Sequence, residues 1–499
     1  VNTKSLFDLP KDVIEVPILK DLLTEDFVFY YRDGGADWMS FRGTLARLAF
    51  EQQTDWPTKV MKWILNGPAE VAFWKGPDGK LTNFIAVIDQ SGVKEISKLI
   101  AESAIPAGES QMKIDATTGS KISTLTLATG RTVYMTTEEN RLFIFTNAAI
   151  PVPLAAKNRS YLDRAKAFFG ANEDVSLFGP KLGSAKHVVT VSARYLSFGY
   201  QAFFSGIKGV RFDFAKASGW TTKLLTTNAA KPADEKDWAQ MPKGAAFCLA
   251  VPVDTKAVGA VVKAETWLQK SAGSAVACWY PESKLHSPLI ATRGDFTELL
   301  KKPDELKRIF TSTIGSREIT VVAGPTVGEG ATFKYLPVLP VQDAKVAAGQ
   351  VGFIREVGGR YGFYPSSKSP NNKLLGSKRY FKVKLVATSG SIYFSPDDRL
   401  VDKGLTTADG KFPSMATSLP AKGKSASFIV APDALAKLAK ASILESLPES
   451  QESIFRTAVS RQLFPNLEKF AKRPLQAASI GSGGNGAWKQ VEWTTNAAK

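Results

Sequence analysis

Two histidines and two cysteines in 499 residues leave little of the usual metal and nucleophile chemistry. His187 sits in a strand-like run and His286 in a polar turn. There is no His-Glu-x-x-His, no Cys-x-x-Cys and no second histidine at ligand spacing, so neither a metal site nor a cofactor is expected. The run Gly481-Ser482-Gly483-Gly484-Asn485-Gly486 lacks the lysine of a phosphate-binding loop and opens no obvious helix, which makes it a flexible linker. Ser91-Gly92-Val93-Lys94 fits the Ser-x-x-Lys pattern in which a lysine activates a serine. Its Ser-Asp-Asn and Lys-Thr-Gly companions are absent, and Ser91 explains itself as a helix N-cap. Glu138-Glu139 and Asp397-Asp398 are paired carboxylates; acid–base work would need them buried, and solvated turns are expected at both places. Cys248 and Cys278 lie in apolar strand-like runs and are read as buried free thiols. A bridge between them would need Cα atoms within about 7 Å, which sequence does not display.

One segment could bind rather than react. Between Arg355 and Lys384 stand Arg355, Arg360, Lys368, Lys373, Lys378, Arg379, Lys382 and Lys384 against a single acid, Glu356. Tyr361, Phe363, Tyr364, Tyr380 and Phe381 are interleaved with them. Cationic groups can hold an anionic polymer while the rings stack on its bases or sugars, so Arg355, Arg360, Tyr361, Tyr364, Lys373, Lys378 and Arg379 are the candidate binding residues. The structural alternative is a solvated β-hairpin with a Ser/Pro/Asn-rich tip. No ordered recognition motif accompanies the charge, so nucleic acid is not the expected partner; an acidic polymer, membrane headgroups or an acidic protein face are.

The elements that must position these residues come in two sets. Glu70 to Leu81 (EVAFWKGPDGKL) matches Ala275 to Leu285 (AVACWYPESKL), and Ile85-Ala86 matches Ile290-Ala291 in the run that follows. Thr132 to Leu142 (TVYMTTEENRL) aligns with Ser391 to Leu400 (SIYFSPDDRL), and Ser184 to Tyr200 aligns more weakly with Ser425 to Lys440. Both halves finish on TTNAAK, at 226–231 and 494–499. The order is preserved, which reads as two tandem repeats over 1–231 and 232–499. Trp74 to Tyr134 spans sixty residues but Trp279 to Tyr393 spans 114, so the second repeat carries an insertion, placed at about 316–378. Long insertions on an existing scaffold are common seats of function, and the basic segment lies in and beside this one.

Within each repeat, apolar runs followed by caps and helical spacing recur, at Asn83 to Ile100, Phe247 to Val262 and Phe428 to Leu444. Pro432 falls in the first turn of the last of these. Ser123 to Thr146 alternates with period two around its turns, as an antiparallel meander does. The expected fold class is α+β, with antiparallel sheets covered on one side by helices. Trp74, Trp279, Tyr134 and Tyr393 recur with the fold and are read as core anchors rather than as a binding surface.

Composition agrees with a folded chain of more than one domain: 44% hydrophobic, 22% charged, with 64 basic residues against 47 acidic ones for a net charge of +17. That surplus favours acidic partners. No run of about 18 apolar residues is present to span a membrane as a helix.

Leu22 to Phe50 (LLTEDFVFYYRDGGADWMSFRGTLARLAF) and Pro68 to Leu81 (PAEVAFWKGPDGKL) resemble a family of uncharacterised bacterial proteins designated only as a domain of unknown function. The resemblance implies a place in the cell envelope, periplasmic or anchored in the inner membrane by an N-terminal hydrophobic segment, and in some bacteria a gene beside one for an alpha-2-macroglobulin-like protein. It supplies no catalytic residues. The reading that follows is a non-enzymatic envelope scaffold or binding protein, its partner an envelope protein or an acidic envelope polymer. The alternatives are an enzyme acting on an acidic envelope polymer or peptide, and a carrier with a ligand cleft between the repeats. Ligand identity and oligomeric state are not expressed in the sequence.

Overall fold

A computed structural model describes residues 1–6, 8–14, 22, 66–74, 83–89, 113–116, 122–126, 132–138, 140–146, 182–192, 207–215, 220–226, 233–252, 272–283, 285, 287–302, 319–320, 331–333, 350–365, 372–373, 380–381, 384–419, 426–446, 456–457, 459–480 and 488–495. Most of the Leu22 to Phe50 segment, the Ser91-Lys94 pattern, the helical spacings after Asp89 and Pro252, His286 and the Gly481-Gly486 run lie outside them. The chain divides into two compact units, one of 1–192 with 211–221 and 452–463, the other of 193–210 with 222–451 and 464–499.

The expected α+β mixture is corrected by the strands. Among the described residues twenty-four strands accompany only six α-helices, and the ladders with a stated register are all antiparallel. The reason lies in how the strands are buried. Along Ala272–Trp279 the consecutive residues Ala275, Val276, Ala277, Cys278 and Trp279 are all at most 2% exposed, so both faces of the strand are covered. A strand buried on both faces has no period of two, and its alanines lean toward helix in isolation. Antiparallel sheet therefore dominates where helices covering one face were expected.

In the first unit the strands lie side by side in the order Lys113–Ala116, Ile122–Thr126, Thr132–Glu138, Arg141–Phe145, Asn83–Asp89, Ala69–Trp74, Asn2–Thr3, His187–Ser192. The meander anticipated over Ser123 to Thr146 is the second to fourth of these. The core gathers Ala69, Val71, Ala86, Ile88 and Leu142, with Leu6 and Ile144 packed against it.

In the second unit the order is Ile319–Thr320, Ala331–Phe333, Gln350–Val357, Arg360–Pro365, Lys384–Ala387, Ser391–Ser395, Leu289–Gly294, Ala272–Trp279, Phe247–Pro252, Phe428–Val430, Gln476–Ile480, Trp488–Thr495, Trp220–Thr226. The helix Asp398–Ala408 buries Leu400, Val401 and Leu405 in the core of this unit, together with Trp238, Tyr280 and Tyr393. It approaches closely because Gly404 faces the Tyr393 ring, where an added Cβ would stand 3.0 Å from a ring carbon. The helix Pro432–Ser446 begins at the anticipated proline and buries Ala434, Ala436 and Leu438.

The registers allow the matched segments to be compared residue by residue. Ala72 lies opposite Ile85, and Ala277 opposite Ile290, in line with the EVAFW/AVACW match. Across the next strand Ala86 faces Ile144, whereas Ala291 faces Tyr393. Tyr393 therefore corresponds in position to Ile144, and the aligned Tyr134 sits one strand further out. Among the described residues, two more strands follow beyond Thr132–Glu138 in the first unit, and four follow beyond Lys384–Ala387 in the second, all four between residues 319 and 365.

Candidate functional site

The basic, aromatic segment is built on the hairpin of Gln350–Val357 and Arg360–Pro365. Gly358 and Gly359 join its strands at φ 60° and 74°, the left-handed backbone that a tight two-residue hairpin turn requires and that glycine adopts without a Cβ clash. Arg355 lies opposite Gly362, and Tyr364 stands two residues further along the same strand, so Arg355, Gly362 and Tyr364 share one face; Glu356 and Tyr361 share the other. Gly362 is where Lys384–Ala387 comes closest: a Cβ there would stand 2.3 Å from the Leu385 carbonyl oxygen.

On the first face, two cations converge on one ring. The Arg355 guanidinium carbon is 5.6 Å, and the Lys384 Nζ 5.1 Å, from the centre of the Tyr364 ring. Both distances lie in the range where a cation is attracted to the face of an aromatic ring. Lys384 also donates to the Asp402 carboxylate at 2.5 Å. Burial pushes the Tyr364 hydroxyl up against the opposing pull of Arg360 and Arg355, so it remains a neutral donor. Arg355 is exposed, as is Val357 at the hairpin end.

The candidate residues do not all meet. Arg355 and Tyr364 come together, with Lys384. Arg360 turns to Asp409, which caps the C-terminus of Asp398–Ala408, and so fastens the hairpin to that helix. Tyr361 occupies the other face. Lys373 lies on the short strand Asn372–Lys373, paired with Tyr380–Phe381; Lys378 and Arg379 are outside the described residues.

Two further clusters are absent from any motif. The carboxylate of Asp397 is 1% exposed, which corrects the expectation of a solvated turn. It accepts from the Ser283 hydroxyl at 3.0 Å and from the Arg399 guanidinium at 2.9 and 2.7 Å, and it caps the N-terminus of Asp398–Ala408. In the first unit, Thr3 Oγ1 is 2.6 Å from His187 Nδ1, and His187 Nε2 is 2.7 Å from Asp12 Oδ2. Lys186 joins both Asp12 and Asp8, at 2.7 and 2.9 Å. Hydroxyl, imidazole and carboxylate in that order form a nucleophile's triad elsewhere. Here Thr3 and His187 are both 0% exposed, and Thr3 donates its hydroxyl proton 2.8 Å away to the Ser5 carbonyl. With substrate shut out, the trio acts as a clamp tying Asn2–Thr3 and the helix Leu9–Ile14 to His187–Ser192.

The cysteines also depart from expectation. Cys248 and Cys278 face one another across Phe247–Pro252 and Ala272–Trp279, with Cα atoms 4.2 Å apart, and form a disulfide. Free thiols were expected because spacing along the chain does not reveal register across a sheet.

Residues 1–493 match the family described as "Uncharacterized protein conserved in bacteria (DUF2138)". The chain is similar to "Uncharacterized protein YfaA" of Escherichia coli (strain K12), with 28% identity covering 99% of this chain and 89% of that protein. No solved structure matches.

Proposed function

The chain belongs to that family of uncharacterised bacterial proteins, and from this premise we propose a non-enzymatic binding protein of the cell envelope that meets an acidic partner through the Gly358-Gly359 hairpin. The observation that carries the reading is the Cys248–Cys278 disulfide. Disulfides persist in oxidising compartments such as the bacterial periplasm and are rare where thiol reductants are abundant. A structural bridge in the middle of a sheet supports a chain that matures outside the cytoplasm.

The hairpin supplies the contact. It belongs to strands that, among the described residues, the second unit has and the first does not, on a scaffold we read as one repeat used twice, over 1–231 and 232–499. Exposed Arg355 over the Tyr364 ring places positive charge and a flat ring together, with Lys384, buried and paired with Asp402, set against the same ring from within; the net charge of +17 draws acidic surfaces from a distance. Arg360, held by Asp409, positions the hairpin rather than meeting the partner.

The test uses the full chain, with immobilised polyglutamate as the acidic probe, and the variant Arg355→Glu. The reading expects at least about a tenfold loss of affinity at low ionic strength, narrowing as salt screens the contact. Equal binding by both proteins at every salt concentration would remove the hairpin from the interface.

A further inference from the structure

We infer that the Cys248–Cys278 bridge is closed before the sheet is, by a dithiol-oxidising partner that acts on the unfolded chain. The inference deepens the proposed oxidising location and is independent of what the hairpin binds.

The register places four residues in one row across four strands: Ile429 opposite Cys248, Cys248 opposite Cys278, and Cys278 opposite Leu289. Their exposures are 0%, 1%, 0% and 0%. All four belong to the core that also holds Trp238, Tyr280 and Tyr393. Thiol–disulfide exchange proceeds when a thiolate attacks a sulfur on the side away from the leaving sulfur, and access sets its rate. Ile429 flanks Cys248 and Leu289 flanks Cys278 in this row, both wholly buried, so the pair is closed in on either side along the sheet. No oxidant of protein or peptide size reaches either thiol in the folded sheet.

The chemistry balances with one co-reactant, a disulfide-bearing oxidant. The thiolate of one cysteine attacks a sulfur of the oxidant's disulfide and expels its other sulfur as a thiolate, giving a mixed disulfide. The second cysteine's thiolate then attacks the chain's own sulfur in that mixed disulfide. The Cys248–Cys278 bond forms, and the oxidant leaves as a dithiol carrying the two electrons and two protons that the chain has lost. The cysteines stand thirty positions apart, a separation whose loop closes readily in an unfolded chain. Once the sheet assembles around it, the same packing shields the bond from reductants.

The experiment takes the full chain, reduced and denatured, into oxygen-free buffer with glutathione disulfide as the oxidant. In one arm the oxidant is present from the start of refolding; in the other it is added after refolding is complete, and free thiols are counted with time in acid-quenched samples. Bridging should be at least about tenfold slower in the second arm, at a rate that does not rise with oxidant concentration, because opening of the sheet limits it. A reduced chain that circular dichroism shows to stay unfolded until oxidant arrives bridges equally fast in both arms and supports the same order of events. Prompt bridging of the folded, reduced chain in proportion to oxidant concentration overturns the inference. The assay contains no envelope component, so its outcome stands apart from that of the polyglutamate test.

Discussion

His187 and Asp12, 175 positions apart in the chain, meet at 2.7 Å with the imidazole wholly buried. Burial alone would raise the Asp12 carboxyl, but hydrogen bonds from Lys186 and His187 and their charges outweigh it and hold the group below its usual value. A carboxyl with a lowered folded-state value contributes stability above its unfolded value, and that contribution is lost as pH falls through the folded one. Urea denaturation followed with falling pH should therefore show an acid loss of stability that Asp12→Asn reduces. The side chain is 33% exposed, so the substitution should cost no more than about 1 to 2 kcal/mol at neutral pH. An unchanged acid limb in the variant would show that the clamp carries no weight.

Asp397→Ala should be more damaging. The substitution removes the helix cap, takes from the buried Ser283 hydroxyl the nearer of its two acceptors, leaving it the Ser287 carbonyl at 3.3 Å, and takes away the group whose hydrogen bonds hold the Arg399 guanidinium above its usual value. A loss of about 1 to 3 kcal/mol is expected from the cap and the lost buried hydrogen bond together, read from the shift in denaturation midpoint. Asp397→Asn, which can still accept from Ser283, should recover part of it.

Leu400→Ala tests the packing of the same helix. Leu400 is 1% exposed in the core of the second unit, and truncation there should cost about 2 to 5 kcal/mol. Gly404→Ala should also destabilise, since its new methyl meets the Tyr393 ring; a neutral result would mean that the helix rides higher than the distances place it.

Gly359→Ala forces a side chain into a left-handed backbone and should cost about 1 kcal/mol, confined to the hairpin. Amide exchange should quicken in 353–364 and stay unchanged in Leu289–Gly294. Uniform acceleration would show that the hairpin is integral to the core rather than fastened to it by Arg360 and Asp409.

Where a pattern was local, the sequence displayed it. Pro432 and Asp433 marked the start of Pro432–Ser446, and alternation from Ser123 onward marked the meander. Relations that depend on register stayed hidden. Tyr134 and Tyr393 share neighbours in sequence yet occupy different strands, since one residue of slip or one added strand leaves a short motif intact. The burial of Asp397 depends on Ser283, 114 residues away, and that of His187 on Asp12, so no spacing rule could announce either. The weight of sheet over helix was obscured by strands such as Ala272–Trp279, whose small residues are covered on both faces. Of the candidate binding residues, Arg355, Arg360, Tyr361 and Tyr364 fall on the two strands of one hairpin, but alternation across the ladder decides that Arg355 and Tyr364 share a face and that Tyr361 does not.

The most direct test of the account is a thiol count on the protein as cells make it. Cells are quenched in acid, the full chain is purified under denaturing conditions, and alkylation is followed by mass with and without prior reduction. An oxidised envelope protein carries no alkylated cysteine before reduction and two after it, at Cys248 and Cys278. Two alkylated cysteines without reduction would place the mature chain in a reducing compartment and contradict both the bridge and the location built on it.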